Sequence, residues 1–187
     1  MNNFDIIVTL FTIVYGLILT DLFASLHKLL RIWKKVKWNW LPLLSAWYLF
    51  LLIIKNWWDL AIPEVRMNEY NIIYFVAYGH LLILLYLLAS AVLPDNVSDQ
   101  GIDLKKYYFR NHRYFWGLMA GVGLMSLLIS MILQMSAKAS VNIYNIVANV
   151  IFLLLTILLA ITKKYWAHAV VVALFVLVAI LEIFQNL

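Results

Sequence analysis

The sequence predicts an all-α polytopic membrane protein, with six transmembrane helices and a short interfacial helix before the fourth span. Three observations carry that expectation. Hydrophobic residues make up 66% of the 187 and charged residues 12%, against about 45–50% and about 25% in a soluble globular domain. Apolar runs recur near the roughly 20 residues that cross a bilayer as helix, and the mean hydropathy is +0.92. Eleven of the 14 Lys and Arg residues fall in alternate connections between those runs, the asymmetry expected of cytoplasmic loops.

The spans are expected at about 4–30, 40–62, 70–93, 114–136, 142–162 and 165–186, forming a single transmembrane domain over 1–187. The first run has no Lys or Arg before it and is too long for a cleaved secretory signal, which makes it a retained span. The first connection carries Lys28, Arg31, Lys34, Lys35 and Lys37; the third carries Lys105, Lys106, Arg110 and Arg113; the fifth carries Lys163 and Lys164. The other side has only Arg66 and Lys138, so both termini are expected outside and the three basic connections in the cytoplasm. Trp33, Trp38, Trp40, Trp116 and Trp166 would form the cytoplasmic aromatic belt, and Trp57, Trp58 and Tyr70 the outer one. In the connection from Pro94, Asp103 is an N-cap for the aromatic and basic stretch expected as the interfacial helix, with 94–113 the cytoplasmic loop. Arg31, Lys34, Lys35, Lys37, Lys105, Lys106, Arg110 and Arg113 would meet anionic headgroups, a better reading of the net charge of +5 than nucleic acid.

Polar residues inside the spans are the candidate functional groups. Thr9, Gly16, Thr20 and His27 share one face of the first span, and Gly117, Gly121, Gly123, Ser126, Ser130 and Gln134 one edge of the fourth. Gly16, Gly117 and Gly121 are expected to pack helices closely, within one chain or between copies of a homo-oligomer. Asn142, Asn145, Asn149 and Thr156 lie near one face of the fifth span. By helical rise, Lys55, Asp59, His80, Ser126, Ser130, Asn145 and Asn149 fall in the outer half of the bilayer, while Thr20, Asp21 and Thr156 sit at an inner level. Lys55 and Asp59 are spaced to pair within a helix. His80, ~14 Å from the outer edge by helical rise, is an ionisable group near the midplane and hence a candidate site. Met119, Met125, Met131 and Met135 are expected as core filler.

No HExxH, GxSxG or phosphate-binding glycine loop occurs, and no pair of intramembrane aspartates shares a depth, so no enzyme activity is expected. The absence of cysteine removes disulfides and thiolate metal sites. No cofactor is expected: His27 with His168 as haem ligands, or Lys55 as a retinal Schiff base, are poor fits to the pattern.

Two stretches, GLILTDLFASLHKLLR (Gly16 to Arg31) and LPDNVSDQGIDLKKYYFRNHRYFW (Leu93 to Trp116), resemble small polytopic inner-membrane proteins of bacteria. The resemblance covers about the first two thirds of the chain and implies a bacterial inner-membrane location; it implies no activity. The leading expectation is a homo-oligomeric channel or transporter for an ion or small solute, lined by Lys55, His80, Ser126 and Asn149 outside and Thr20, Asp21 and Thr156 inside. The alternative is a non-conducting interaction or signalling subunit that binds a protein partner through its cytoplasmic loop.

Overall fold

The computed structural model describes residues 3–61, 72–95, 101–137 and 143–185. Nearly all of them lie in six helices: α1 (Asn3–Arg31), α2 (Trp40–Ala61), α3 (Ile72–Val92), α4 (Leu104–Ala137), α5 (Ile143–Ile161) and α6 (Tyr165–Gln185). Helix is what such a composition allows, because in hydrocarbon every backbone N–H and C=O has to be bonded within the segment. Five of the helices, α1 to α4 and α6, are long and apolar enough to cross a membrane; the apolar stretch of α5, Ile146–Ile161, is shorter. The chain is therefore all-α and compatible with a membrane-embedded protein.

One element differs from expectation. The stretch from Leu104 to Arg113 is no separate interfacial helix but the first turns of a continuous 34-residue α4. Asp103 caps it, its Oδ1 accepting the Lys106 N–H at 3.0 Å, and no proline follows to break it. At 1.5 Å per residue α4 is ~51 Å long, well beyond a hydrocarbon slab of about 30 Å.

The connections α1–α2, α3–α4 and α5–α6 lie at one end, here the basic end. After a 3₁₀ turn at Trp33–Lys35, strand β1 (Val36–Lys37) pairs in parallel with β2 (Ile102–Asp103), Val36 opposite Ile102 and Lys37 opposite Asp103. Gly101 makes this approach possible. Its φ of +90° belongs to the left-handed region, and a Cβ there would overlap the Lys35 carbonyl oxygen.

Within the bundle α1 packs on α2 and α3, α4 on α3 and α5, and α2 on α6. Phe11 of α1 stacks between Phe75 and Tyr78 of α3, with centroids 5.3 and 5.2 Å away. The Tyr78 hydroxyl donates to the Asn56 carbonyl of α2 at 2.9 Å and accepts from Tyr15 of α1 at 2.9 Å, which joins three helices through buried phenols. The glycines expected to pack helices divide. A Cβ at Gly121 would touch Leu84 at 3.4 Å, and one at Gly123 would meet the Phe152 ring at 2.9 Å, so these two set the approach of α4 to α3 and α5. Gly16 and Gly117 have nothing within 4 Å of a Cβ: both face outward and pack no helix of this chain.

Candidate functional site

Among the described residues, Lys55, His80, Thr20 and Thr156 each bond within separate parts of the bundle. Lys55 Nζ lies 3.0 Å from Asp59 Oδ2 and 3.7 Å from Glu182 Oε2, a clasp between α2 and α6 at the end opposite the basic one. His80 is exposed on the outer flank of α3, its Nδ1 2.7 Å from the Val76 carbonyl of its own helix. Thr20 is exposed and donates to the Gly16 carbonyl at 2.8 Å; Thr156 is buried and donates to the Leu153 carbonyl at 2.8 Å. Ser126, Ser130 and Asn149 are half-buried on α4 and α5. The side chains of Gln134, Met135 and Asn145 lie outside the described residues, as do Arg66, Tyr70, Lys138 and Asn142 altogether. For Thr20, His80 and Thr156 the partner is local: each side chain meets the carbonyl three or four residues earlier, so it needs no polar neighbour on another helix.

What the structure does bring together lies at the basic end, and it unites the two stretches that carry the resemblance. Asp21, Ser25 and Lys28 share a face of α1. Ser25, fully buried, donates to Asp95 Oδ1 at 2.5 Å, and Lys28 Nζ lies 3.6 Å from the same oxygen. Asp95 and Lys28 are the charged groups that act on Asp21, whose Oδ2 is buried without a hydrogen-bond partner. Just above, the Tyr107 hydroxyl reaches the Ala91 carbonyl at 3.0 Å and the Leu93 carbonyl at 3.2 Å. Those are carbonyls at the end of α3, which the helix itself leaves unpaired.

A second cluster sits between α4 and α6. The Trp116 Nε1–H donates to the Tyr108 oxygen at 2.9 Å, the Tyr108 O–H to His168 Nδ1 at 2.9 Å, and the His168 Nε2–H to the Thr162 carbonyl at 3.0 Å. A carbonyl only accepts, so the last bond assigns the proton to Nε2 and leaves Nδ1 as acceptor; each donor in the chain then meets one acceptor. His112 packs its ring 5.8 Å from that of His168; its Nδ1 lies 2.7 Å from the Phe109 carbonyl, and its Nε2 is buried with no hydrogen-bond partner. Lys105 Nζ lies 4.7 Å over the Tyr165 ring, which Trp40 meets edge-on at 6.1 Å. One expectation changes here, that for Trp116, and His168 and Lys55 meet partners of their own. Trp116 is fully buried rather than part of an interfacial belt. His168 spends both ring nitrogens on Tyr108 and Thr162, which leaves none for a haem iron, and His27 is exposed on α1. Lys55, engaged by two carboxylates, is an ion-pair partner rather than a free amine for a Schiff base.

Tyr108 and His112 escaped the sequence reading, as did the meeting of Ser25 with Asp95. The spacing of four from Tyr108 to His112 to Trp116 was the available signal, since it aligns the three on one helix face. Around both clusters the side chains of Arg31, Lys34, Lys35, Lys37, Lys105, Lys106, Arg110 and Arg113 are exposed. Among the described residues no three His, Asp or Glu side chains are grouped to hold a metal ion. Comparison of the chain with protein-family models, curated proteins and solved structures finds no match.

Proposed function

We propose that this is a bacterial inner-membrane protein of six spans, with both termini outside, that works as a non-conducting, non-enzymatic interaction or signalling subunit. Its basic end faces the cytoplasm, meets anionic headgroups, and presents the α3–α4 connection and the first turns of α4 to a protein partner. One observation carries the reading: at the basic end, bonds between distant residues join two connections. There Ser25, Lys28, Asp95, Tyr107 and the β1–β2 pairing hold two connections as one piece, ringed by exposed basic side chains. Thr20, His80 and Thr156, by contrast, bond back to their own helices, and Lys55 is held in its clasp. Gly16 and Gly117, open on outward faces, support self-association through small-residue contacts.

The rival reading, a pathway for an ion or small solute, is favoured by one observation, the unpartnered Asp21 Oδ2 near the basic end. Proteoliposomes separate the two. Purified full-length protein is expected to raise proton, sodium or potassium leak no further than protein-free vesicles; a leak that Asp21→Asn removes, with the fold intact, would establish the pathway and overturn the subunit reading.

A further inference from the structure

On the outer flank of the bundle, near the end opposite the basic one, α3 and α4 frame a shallow groove of about 400 Å³. That volume lies within the roughly 300–1,000 Å³ of small-molecule sites. Ile73, Val76 and Ala77 of α3 and Met125, Leu128 and Ile132 of α4 line it, and among the described residues His80 is the single polar side chain of its walls. His80 lies ~12 Å along α3 from Ile72 by helical rise, at a depth where the surroundings are hydrocarbon. A polar group there needs a partner, and its own helix supplies only half of one. Nδ1 lies 2.7 Å from the Val76 carbonyl, and because a carbonyl only accepts, Nδ1 carries the hydrogen. In the neutral imidazole Nε2 is then a lone-pair acceptor, held in a groove whose other described walls are apolar.

We propose that this groove binds a membrane-dissolved amphiphile with an apolar body and a hydroxyl, whose O–H donates to His80 Nε2. The inference goes beyond the reading of the basic end and does not depend on it. The fixed tautomer selects the chemistry: a hydroxyl satisfies Nε2, while an ether, ketone or ester, which only accepts, does not. Ile73, Val76 and Leu128 leave the side of the groove open to the lipid phase, so the ligand enters laterally. Met125, unbranched and adaptable, lets one wall follow an alkyl or isoprenoid body.

The test uses the full chain in vesicles of phosphatidylethanolamine and phosphatidylglycerol, photolabelled with a diazirine-bearing hexadecanol or with its methyl ether. The alcohol is expected to label α3 and α4 peptides around the groove roughly fivefold to tenfold more than the ether, the ratio one hydrogen bond supplies. His80→Leu is expected to bring the alcohol down to the level of the ether; should that variant fail to fold, the ratio on the native chain decides alone. Equal labelling by alcohol and ether would mean that any acyl chain fills the groove, and would overturn the proposal. So would disulfide formation between copies carrying Leu128→Cys, since the chain has no native cysteine and a second copy would then occupy the groove.

Discussion

Asp95, in the α3–α4 connection, accepts a 2.5 Å hydrogen bond from Ser25 on α1, a residue 70 positions earlier that is fully buried. The bond closes the basic end: it ties the first helix to the connection that pairs with the α1–α2 segment through β1 and β2. Hydrogen bonds to charged groups contribute about 1.5–3 kcal/mol, and the 39% exposure of the Asp95 side chain favours the low end of that range. Ser25→Ala and Asp95→Ala are each expected to cost about 1.5 kcal/mol, with the double variant costing clearly less than the sum. Lys28→Ala, at a half-exposed side chain, should cost under about 1 kcal/mol. Unfolding in mild detergent measures all four, and additive losses would remove the link.

Gly101→Ala tests the junction of the two connections. A side chain at φ +90° would be strained by about 1–2 kcal/mol, and its Cβ would overlap the Lys35 carbonyl oxygen, so a loss of about 2 kcal/mol or more is expected, with faster proteolysis in both connections. Gly16→Ala, with open space around it, should be neutral or gain up to about 1 kcal/mol from helix propensity. Equal stabilities for the two variants would show that β1 and β2 do not hold each other.

Tyr108→Phe leaves the Trp116 Nε1–H and the His168 Nδ1 without partners, both in buried side chains. Each orphaned group costs about 1–3 kcal/mol, so a combined loss of about 3 kcal/mol and a shifted Trp emission are expected. Tyr107→Phe, whose hydroxyl serves two helix-end carbonyls at a half-buried position, should cost about 1 kcal/mol. A larger loss for Tyr107→Phe than for Tyr108→Phe would reverse this ranking.

The helices were legible because their signal is composition and length, and each expected apolar segment coincides with a helix to within a few residues, apart from the start of α4. That start was misjudged because the aromatic and basic residues from Leu104 to Arg113 read as an interface, whereas the helix simply continues through them. The candidate site was less legible. Asp21 was visible as an ionisable residue in a span, but Ser25 and Asp95 meet across the fold, and a single helix pattern carries no information about the partner. In the sequence His80 stands out by its depth and its ionisable ring, which say nothing of the direction it faces. In the structure Leu84, one turn further, takes the contact with Gly121, and His80 falls at the margin of the α3–α4 contact.

Orientation is checked by single cysteines in this cysteine-free chain. Lys106→Cys is expected to react only after permeation of the membrane, and Lys138→Cys directly from outside. The opposite pattern would invert the topology and place the basic end outside the cytoplasm.

The central claim is that the basic end is a partner-binding surface, and site-directed photo-crosslinking in native membranes tests it most directly. A photoreactive residue at Arg110, exposed at the basic end, is expected to give one discrete protein adduct heavier than the chain, whereas the same residue at Leu174, exposed on the flank of α6, gives only lipid and self adducts. Arg110, Lys106 and Lys34 all behaving as Leu174 does would contradict the account.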